Sequence, residues 1–411
     1  MTSITHIVVV GASLAGLRSV EALRRLGYDG RISWIGAEPH LPYDRPPLSK
    51  DVLAGAREPG RTALRPADSY AELAVDLRLG RRATSLSVAE RSVALDDGSH
   101  LRFDGLLIAT GSSARSLPGT PHLAGIHRLR TLDDALVLRE SLAARPRVAV
   151  VGAGFIGAEV AATCRGLGLE VAMVEPLATP LLRAVGPELG ARVAALHRDH
   201  GVDLRCGVGV TGFEGGARVE ALRLADGTRV PADLVVVGVG ARPETTWLEG
   251  SGLRLEDGVV CDETCAAGPG IVAAGDVARW HNPVYGEAMR VEHWTNAVEQ
   301  AGHAAETLLA GEGAKPYAHV PYVWTDQYEM RLQMAGHPRP GDTARIVEGT
   351  LEEGRFVALL GRAGKLVAAL GFQRARQVNA WRRRMREGIS FDEAVALASG
   401  ATPAETTPEH G

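Results

Sequence analysis

Residues 148–175 constrain the fold more strongly than any other stretch of the chain. The run VAVV at residues 148–151 is short, apolar and rich in valine, which is typical of a buried parallel strand. Helix-compatible sequence continues to about residue 167, and a second apolar run follows at residues 171–174. Between the first run and the helix lie three glycines in the order G-x-G-x-x-G: Gly152, Gly154 and Gly157. This order of strand, turn, helix and strand predicts a dinucleotide-binding unit.

Each glycine has a physical task in such a unit. Gly152 allows the tight turn from strand to helix, and Gly157 lets the helix pack close to the strand. Gly154 has no side chain, so a pyrophosphate can lie against the backbone at the positive end of the helix. Glu175 follows the second run, where a carboxylate can accept hydrogen bonds from both ribose hydroxyls of NAD. We therefore expect NADH to bind here and Glu175 to select it over NADPH.

The same pattern occurs once more, near the start of the chain. Residues 7–10 form an apolar run, and residues 32–35 form another that ends close to Glu38. The three turn positions are held by Gly11, Ser13 and Gly16, with serine in the middle. Two such units in one chain imply that it binds two dinucleotides.

The composition fits a globular protein of two or three domains. Of the 411 residues, 45% are hydrophobic and 23% are charged, which is ordinary for soluble proteins. The net charge of −4 gives no sign of a nucleic-acid partner. The apolar runs are too short to span a membrane, and the N-terminus lacks the pattern of a secretion signal. We expect a cytoplasmic protein.

Cysteine usage bears on both metal binding and redox chemistry. The four cysteines are Cys164, Cys206, Cys261 and Cys265. Cys261 and Cys265 could form a redox or metal-binding pair, but no other cysteine or nearby histidine completes a set of metal ligands. We expect ordinary reduced thiols and no metal site.

A proline-rich loop, HLPYDRPPLSK, follows Glu38 and carries Arg45 and Lys50. Its prolines exclude regular structure and favour an extended path, so both cations should lie beyond the carboxyl ends of the strands, where ligands bind in such sheets. The alternative is that both are solvated surface cations. Farther along the chain, Asp276 is expected to open a helix, where it could bind a polyol hydroxyl or only cap the helix.

Local signals define most of the remaining elements. Hairpins with Asp-Gly turns are predicted at residues 88–103 and 222–230. Thr131 and Ser390 are suited to cap helices that begin near residues 133 and 391, the second through a capping box with Glu393. Other strands are predicted at residues 106–109, 234–239, 259–264 and 271–274, and other helices at 14–26, 187–200, 292–309 and 374–387. Short strands begin near residue 316, and the last dozen residues are expected to be disordered.

Nine stretches, in this order along the chain, resemble a single family: VVVGASLAGLRSVEALR, IGAEPHLPYDRPPLSK, LLIATGSSAR, LRTLDDA, VAVVGAGFIGAEVAA, VVVGVGARPE, IVAAGDVARW, VEHWTNAVEQA and VWTDQYEMRLQMAG. That family is the FAD-dependent NADH:ferredoxin reductases of bacterial cytochrome P450 and Rieske oxygenase systems, which includes putidaredoxin reductase-like and biphenyl dioxygenase ferredoxin reductase-like proteins. The resemblance implies an α/β, glutathione-reductase-like fold with two Rossmann-type domains. The implied domains are FAD-binding at 1–112 and 244–316, NADH-binding at 113–243, and C-terminal α+β at 317–411.

The resemblance also implies roles for individual residues. Those implied to bind FAD are Gly11, Ala15 and Gly16, which line the pyrophosphate, Ser13 in the same turn, and Arg130, which helps hold the pyrophosphate. The others are Glu38 at the adenosine ribose, Ala83 on the adenine side, Asp276 at the ribityl chain, Arg45 and Lys50 on the proline loop, and Trp294 and Trp324 beside the isoalloxazine. Those implied to hold NADH are Gly152, Gly154, Gly157 and Glu175. Because Ser13 replaces the middle glycine that is usual in the family, its side chain must point away from the pyrophosphate.

The implied function is electron transfer from NADH through FAD to a small iron–sulfur ferredoxin that feeds a cytochrome P450 or a Rieske oxygenase. The alternatives are a rubredoxin reductase and an NADH-responsive flavoprotein that acts through binding partners. A disulfide or peroxide reductase would need a reactive cysteine in or just after the first helix, and no cysteine precedes Cys164. We expect a monomer.

Lys50 and Glu159 are implied to be the catalytic residues. The resemblance places both near the flavin, and we predict that they form an ion pair beside the flavin N5, where Lys50 would stabilise the charge gained on reduction and Glu159 would hold Lys50. The alternative for Glu159 is a carboxylate that stabilises a helix N-terminus.

A basic segment near the C-terminus predicts a docking surface for an acidic ferredoxin, with a solvated helix face as the alternative. Its arginines are Arg374, Arg376, Arg382, Arg383, Arg384 and Arg386.

Overall fold

The computed structural model describes residues 4–400. Up to residue 127 the strands are β1 (His6–Val10), β2 (Arg31–Gly36), β3 (Asp76–Leu79), β4 (Ala83–Ser87), β5 (Ser92–Leu95), β6 (His100–Arg102), β7 (Gly105–Ile108), β8 (Ser112–Ala114) and β9 (Ile126–His127). The next are β10 (Val148–Val151), β11 (Val171–Glu175), β12 (Asp203–Cys206), β13 (Val210–Glu214), β14 (Ala221–Leu224), β15 (Arg229–Pro231), β16 (Leu234–Val237) and β17 (Ala241–Pro243). The last are β18 (Val259–Cys261), β19 (Ala266–Gly268), β20 (Ile271–Ala273), β21 (Ala278–Asn282), β22 (Glu287–Arg290), β23 (Tyr322–Gln327), β24 (Met330–Gly336), β25 (Thr343–Thr350), β26 (Arg355–Arg362) and β27 (Lys365–Phe372).

The α-helices are α1 (Leu14–Arg25), α2 (Leu132–Leu142), α3 (Phe155–Gly166), α4 (Leu182–Asp199), α5 (Trp294–Ala310), α6 (Ala375–Arg386) and α7 (Phe391–Ala398). Two of them begin with the capping boxes that satisfy free N–H groups in the first turn. Thr131 and Asp134 form the box of α2, and Ser390 and Glu393 form the box of α7. Both predicted N-caps are therefore confirmed.

The first dinucleotide unit is built on a six-stranded sheet in the order β19-β20-β7-β1-β2-β3. Strand β1 pairs in parallel with β2 and β7, and β20 pairs in parallel with β7. The strands of this sheet come from two separate parts of the chain, residues 6–108 and residues 266–273, so the chain leaves the sheet and later returns to it. Helices α1 and α5 pack against each other and against the sheet, and the buried side chains form one core.

The second dinucleotide unit has a five-stranded parallel sheet in the order β12-β11-β10-β16-β9. Strand β10 has the predicted bounds, and all four of its residues are buried. It pairs with β11 on one side and β16 on the other, so its valines contact core on both faces of the sheet. The turn after β10 leads directly into α3, and α4 follows β11.

The C-terminal domain is an antiparallel sheet in the order β23-β24-β27-β26-β25, with α6 and α7 on one face. Its other face shares a core with α4 of the second unit, to which Leu189, Val193, Phe356 and Phe372 contribute. The rings of Phe356 and Phe372 stack with their centroids 4.5 Å apart. This packing brings the β23–β24 hairpin to the second unit. The predicted α+β character of this domain is confirmed.

The structure corrects several predicted elements. Asp276 does not open a helix: it lies in a single 3₁₀ turn, Gly275–Val277, because the chain passes at once into β21, which pairs with β18 and β22. Helix α4 begins at Leu182 and is kinked at Gly186, whose backbone is not helical. The proline-rich loop contains a short 3₁₀ helix, Pro46–Ser49. Most of the C-terminal dozen lies outside the described residues, so its predicted disorder stays a prediction.

Candidate functional site

The turn after β10 contains glycines in tight and in open surroundings. A Cβ atom on Gly157 would lie 2.0 Å from the carbonyl oxygen of Gly152, so only glycine allows α3 to approach the strand this closely. A Cβ atom on Gly154 would meet nothing within 4 Å. Gly154 is also the N-cap of α3, so free N–H groups border this open space. The turn therefore fits a pyrophosphate, as predicted for the second unit.

Glu175 is buried at the carboxyl end of β11, beside this turn. Its Oε2 accepts a hydrogen bond of 2.7 Å from the Ala153 N–H, and its Oε1 accepts one of 3.0 Å from the Leu177 N–H. These backbone donors hold the carboxylate where an adenosine ribose would meet it in such a unit.

The first unit repeats the close approach in its own turn. A Cβ atom on Gly11 would lie 2.1 Å from the Ala109 carbonyl oxygen, and one on Gly16 would lie 1.8 Å from the Gly11 carbonyl oxygen. Ser13 is the N-cap of α1, but its side chain makes no capping hydrogen bond. Ala15 is buried in the first turn of α1. These four residues form one turn, and the predicted orientation of the Ser13 side chain, away from the pyrophosphate, stays a prediction.

Glu38 and Arg45 are bound to each other. Arg45 Nη2 lies 2.6 Å from Glu38 Oε1, and the Tyr43 hydroxyl donates to Glu38 Oε2 at 2.5 Å. Arg45 also donates to the carbonyl oxygen of Arg130 at 2.6 Å. Burial raises the pKa of Tyr43, so this hydroxyl stays a donor. Arg45 is thus not a solvated surface cation, and Tyr43 is a site residue that the sequence prediction missed.

Arg130 and Asp276 form a second ion pair near the start of β8. Arg130 Nη2 lies 2.7 Å from Asp276 Oδ2, and Ser112 Oγ donates to the same oxygen at 3.0 Å. The structure therefore joins two residues to which the resemblance assigned separate parts of FAD. Ala83 begins β4 and is buried in the core of the first unit.

Trp294 and Trp324 lie together, with ring centroids 6.1 Å apart and an edge-to-face angle of 69°. Trp294 begins α5, and Trp324 lies on β23 of the C-terminal domain. The indole N–H of Trp294 donates to Asp44 Oδ1 at 2.8 Å, and burial raises the pKa of Asp44 although this bond lowers it. Asp44 was not predicted as a site residue, although it stands in the same proline-rich loop as Arg45.

Lys50 and Glu159 form the predicted ion pair, with Lys50 Nζ 2.7 Å from Glu159 Oε2. Only 4% of Glu159 is exposed, so the pair is largely closed from water. Ser49 donates to Glu159 Oε2 at 2.5 Å, and Thr325 donates to Glu159 Oε1 at 2.7 Å. The proline-rich loop, α3 and β23 thus meet at one carboxylate. Ser49 and Thr325 were missed because no local pattern marks either residue.

The two glycine turns and the buried lysine–glutamate pair agree with a comparison with known protein families. Residues 5–301 match the profile of the pyridine nucleotide-disulphide oxidoreductases, and residues 322–403 match that of the reductase C-terminal domain. The chain belongs to the pyridine nucleotide-disulphide oxidoreductase family. Members of this family bind FAD and NAD(H), and the two turns described above fit that pair of cofactors.

Individual relatives of this oxidoreductase are ferredoxin reductases of oxygenase systems. The ferredoxin reductase component of the chlorobenzene dioxygenase of Cupriavidus sp. (strain PS12) is 39% identical over 399 residues, which cover 96% of this chain and 95% of that protein. Putidaredoxin reductase CamA of Pseudomonas putida is 35% identical, with 97% of each chain covered. The solved covalent putidaredoxin reductase–putidaredoxin complex superposes with a TM-score of 0.90 at 33% identity, covering 97% of this chain and 99% of that chain.

The family is named for disulfide chemistry, but the cysteines of this oxidoreductase are unsuited to it. All four are unpaired, and Cys164, Cys261 and Cys265 are buried. Burial raises the pKa of Cys164 and of Cys261 to about 12, which disfavours the thiolate needed for attack on a disulfide.

Within residues 4–400, no group of three or more His, Cys, Asp or Glu side chains could hold a metal ion. In the same range, no helix combines the length and hydrophobicity needed to cross a membrane.

Several arginines in the basic segment of this oxidoreductase are held by hydrogen bonds and ion pairs within the protein. Arg382 donates to the Val320 carbonyl oxygen and to Glu299, both at 2.8 Å, and Arg386 lies 3.1 Å from Glu299. Burial raises the pKa of Glu299, but hydrogen bonds from His319 and Arg382 outweigh it and lower the pKa to about 2. The exposed arginines of the helix are Arg376, Arg383 and Arg386, and of these Arg386 is ion-paired.

Proposed function

We propose that this protein is an FAD-dependent NADH:ferredoxin reductase, which passes electrons to a small iron–sulfur ferredoxin of an oxygenase system. The observation that carries the proposal is the buried Lys50–Glu159 pair, which lies where the proline-rich loop, α3 and the C-terminal domain meet. All four cysteines are unpaired, and burial raises the pKa of Cys164 and of Cys261 to about 12, so neither is a ready thiolate. This supports a route for electrons that bypasses a disulfide.

The residues that would hold the cofactors are those of the two turns. Gly11, Ala15 and Gly16 would bind the FAD pyrophosphate, and Gly154 would bind that of NADH. Bound FAD takes up two electrons together and releases them singly. The Lys50 ammonium would supply a positive charge to the reduced cofactor, and Glu159 would orient the ammonium. A charge in this enclosed site is screened less than one in water.

Coenzyme choice follows from Glu175. Its carboxylate would accept the ribose hydroxyls of NADH and repel the 2′-phosphate of NADPH. Because the N–H groups of Ala153 and Leu177 donate to this carboxylate, moving it aside for the phosphate would break both hydrogen bonds. We expect kcat/KM to favour NADH strongly in steady-state assays with ferricyanide. Equal efficiency with NADPH would contradict this assignment.

A direct test of the function is NADH-driven reduction of cytochrome c with and without added ferredoxin. Ferredoxins of the source organism should each be tried, and at least one should stimulate the rate strongly. Rubredoxin should be included, since a rubredoxin reductase is the nearest alternative. If none of these proteins stimulates the reaction, the alternative of an NADH-responsive flavoprotein that acts through binding partners would be favoured.

Three further properties belong to the proposal. The domain bounds 1–112 with 244–316, 113–243 and 317–411 are supported by the separate sheets of the two units and of the C-terminal domain. A cytoplasmic location is supported by four unpaired cysteines. The protein is proposed to act as a monomer that meets its ferredoxin transiently.

A further inference from the structure

A continuous set of hydrogen bonds leads away from Glu159 through the C-terminal domain to α4. Thr325 Oγ1 donates to Glu159 Oε1 at 2.7 Å, and Gln327 Nε2 donates to Thr325 Oγ1 at 3.3 Å. Gln327 Oε1 lies 3.1 Å from His197 Nε2. The set ends where the Tyr328 hydroxyl lies 3.0 Å from His197 Nδ1. We call these four residues, Thr325, Gln327, His197 and Tyr328, the relay.

The middle of the relay is fully closed from water. Thr325, Gln327 and His197 each have 0% exposure. Burying a hydroxyl, an amide and an imidazole costs free energy unless each finds its hydrogen-bond partners. An apolar interior would avoid that cost, so the polar contacts require a reason beyond packing.

The hydrogen bonds of the relay all point the same way. The Gln327 amide nitrogen faces Thr325, so its carbonyl oxygen must accept from His197, which therefore carries its proton on Nε2. His197 Nδ1 is then an acceptor, and the Tyr328 hydroxyl donates to it. Thr325 has one hydroxyl hydrogen, and it goes to Glu159. Hydrogen bonds with a common direction polarise and strengthen one another.

The protonation of His197 agrees with this direction. Burial lowers the pKa of His197 to about 4, although the hydrogen bond that His197 donates to Gln327 raises it, so the imidazole is neutral near pH 7. A neutral imidazole can donate from one nitrogen and accept at the other, as the relay requires. A protonated ring would donate from both nitrogens and break the common direction.

Tyr328 is held in a strained position at the outer end of the relay. It lies in the turn between β23 and β24 with φ of 55°, a left-handed conformation that costs a residue other than glycine about 1 kcal/mol. Its ring stacks on His200 with centroids 3.7 Å apart. Strain of this kind persists where surrounding contacts maintain it, and it often marks a functional site.

We propose that the relay residues are positioning residues, which hold the Glu159 carboxylate in one orientation and through it fix the Lys50 ammonium. The inference rests on the proposed role of the Lys50–Glu159 pair. It assigns the C-terminal domain a part in flavin reduction, because three of the four relay residues belong to the β23–β24 hairpin. Without Thr325, the Glu159 Oε1 atom would lose its hydrogen bond and the carboxylate could rotate.

The test compares variants of the FAD-loaded protein in stopped-flow reduction by NADH. Thr325→Val keeps the side-chain shape but removes the last donor, and we expect about tenfold slower reduction, as for loss of a hydrogen bond to a charged group. Thr325→Ser restores the hydroxyl and should recover most of the rate. Tyr328→Phe removes only the outer donor and should slow reduction about threefold. His200→Phe keeps a ring against Tyr328 outside the relay, and should behave as the parent.

Two further measurements do not depend on activity. The flavin midpoint potential should fall in Thr325→Val, in the same direction as in Lys50→Met but by less. Nitrogen-15 shifts of the His197 ring should show a protonated Nε2 and an unprotonated Nδ1, with the Nδ1 shift changing in Tyr328→Phe. A His197 protonated on Nδ1, or a Thr325→Val protein with the parent potential, would overturn the inference.

The Lys50→Met variant separates this inference from the function on which it rests. If Lys50→Met reduces at the parent rate and potential, the role of the pair fails, and the relay fails with it. If Lys50→Met is slow while Thr325→Val matches the parent, only the relay is overturned. Since the relay acts through the pair, adding Thr325→Val to Lys50→Met should cause no further loss. An additive loss in the double variant would contradict the proposal.

Discussion

Gly154 and Gly157 lie three residues apart in one turn, yet an added side chain would meet opposite surroundings at the two positions. At Gly157 a Cβ atom would strike the Gly152 carbonyl oxygen, whereas at Gly154 it would enter open space. The packing of the protein therefore requires glycine at residue 157, whereas at residue 154 only the proposed pyrophosphate would require it.

Substitution by alanine should separate these two requirements. Gly154→Ala should keep the parent melting temperature but raise the KM for NADH about tenfold, equivalent to about 1.4 kcal/mol of binding. Gly157→Ala should raise the KM and should also lower the melting temperature, since α3 must move away from β10. Thermal unfolding of the protein and ferricyanide assays over a range of NADH concentrations would check both. A Gly154→Ala protein with the parent KM would remove the pyrophosphate from this turn.

Lys50 provides the second prediction for a single side chain. A unit charge at about 4 Å interacts by about 4 kcal/mol at an effective dielectric constant of 20, so Lys50→Met should slow flavin reduction by at least about tenfold and lower the flavin potential. Glu159→Gln should slow it less, because the amide can still accept from Lys50. Stopped-flow traces and potential titrations give both quantities, with FAD content measured alongside.

Lys365→Met is a matched control for that experiment, because Lys365 is exposed in the C-terminal domain. It should reduce at the parent rate. Parent values in both Lys50→Met and Glu159→Gln would mean that the ion pair is structural only.

Helices α4 and α5 each contain a glycine whose added Cβ would meet nothing within 4 Å. Gly302 has ordinary helical geometry in the interior of α5, whereas Gly186 in α4 has φ of 79° and ψ of 175°. At both positions, the effect of an alanine substitution on stability therefore reports on backbone conformation and not on side-chain packing. The kink at Gly186, followed by Pro187, lets α4 begin earlier than its sequence predicted.

Alanine should have opposite effects in these two helices. Gly302→Ala should stabilise the protein by about 0.5–1 kcal/mol, because alanine loses less backbone entropy in a helix. Gly186→Ala should destabilise it by about 1–3 kcal/mol, the usual cost of a conformation open only to glycine. Differential scanning calorimetry of the FAD-loaded variants would show an upward and a downward shift. Equal shifts in the two variants would contradict the assigned backbone conformations.

In the molecule as a whole, the C-terminal domain joins the two dinucleotide units and offers a basic surface. Helix α6 uses Arg382 and Arg386 to bind Glu299 of α5, so these two arginines connect the C-terminal domain to the first unit. Arg374 likewise pairs with Glu348 inside the C-terminal domain. Only part of the predicted basic cluster therefore remains for a partner, and Arg376 and Arg383 are its exposed members.

Charge reversal should distinguish these two groups of arginines. The double variant Arg376→Glu/Arg383→Glu should raise the KM for an acidic ferredoxin several-fold and weaken its salt dependence, because long-range attraction is lost. Ferricyanide reduction should be unchanged. Arg382→Glu should instead lower the melting temperature by leaving Glu299 facing a like charge.

Arg25→Glu reverses an exposed charge at the end of α1 and serves as the control. Unchanged ferredoxin kinetics in the double variant would remove α6 from the docking surface.

The two dinucleotide units could be predicted because their signals are local. Strand, glycine turn, helix and acid follow one another within residues 148–175, so the covalent order of the chain already sets their geometry. The capping boxes at Thr131 and Ser390 were predictable for the same reason, since each joins residues three apart. The Lys50–Glu159 pair was anticipated only through the family resemblance.

Tertiary structure alone decided the contacts between residues that are distant in sequence. Thr325 and Glu159 are 166 residues apart in sequence, Arg382 and Glu299 are 83 apart, and Arg130 and Asp276 are 146 apart. No local pattern marks such partners, because a side chain's hydrogen bonds depend on which elements pack beside it. Asp276 lies in a single turn instead of opening a helix because the residues after it form β21, which pairs with β18 and β22. Local sequence determined the dinucleotide turns, and long-range packing determined which side chains surround the buried carboxylate.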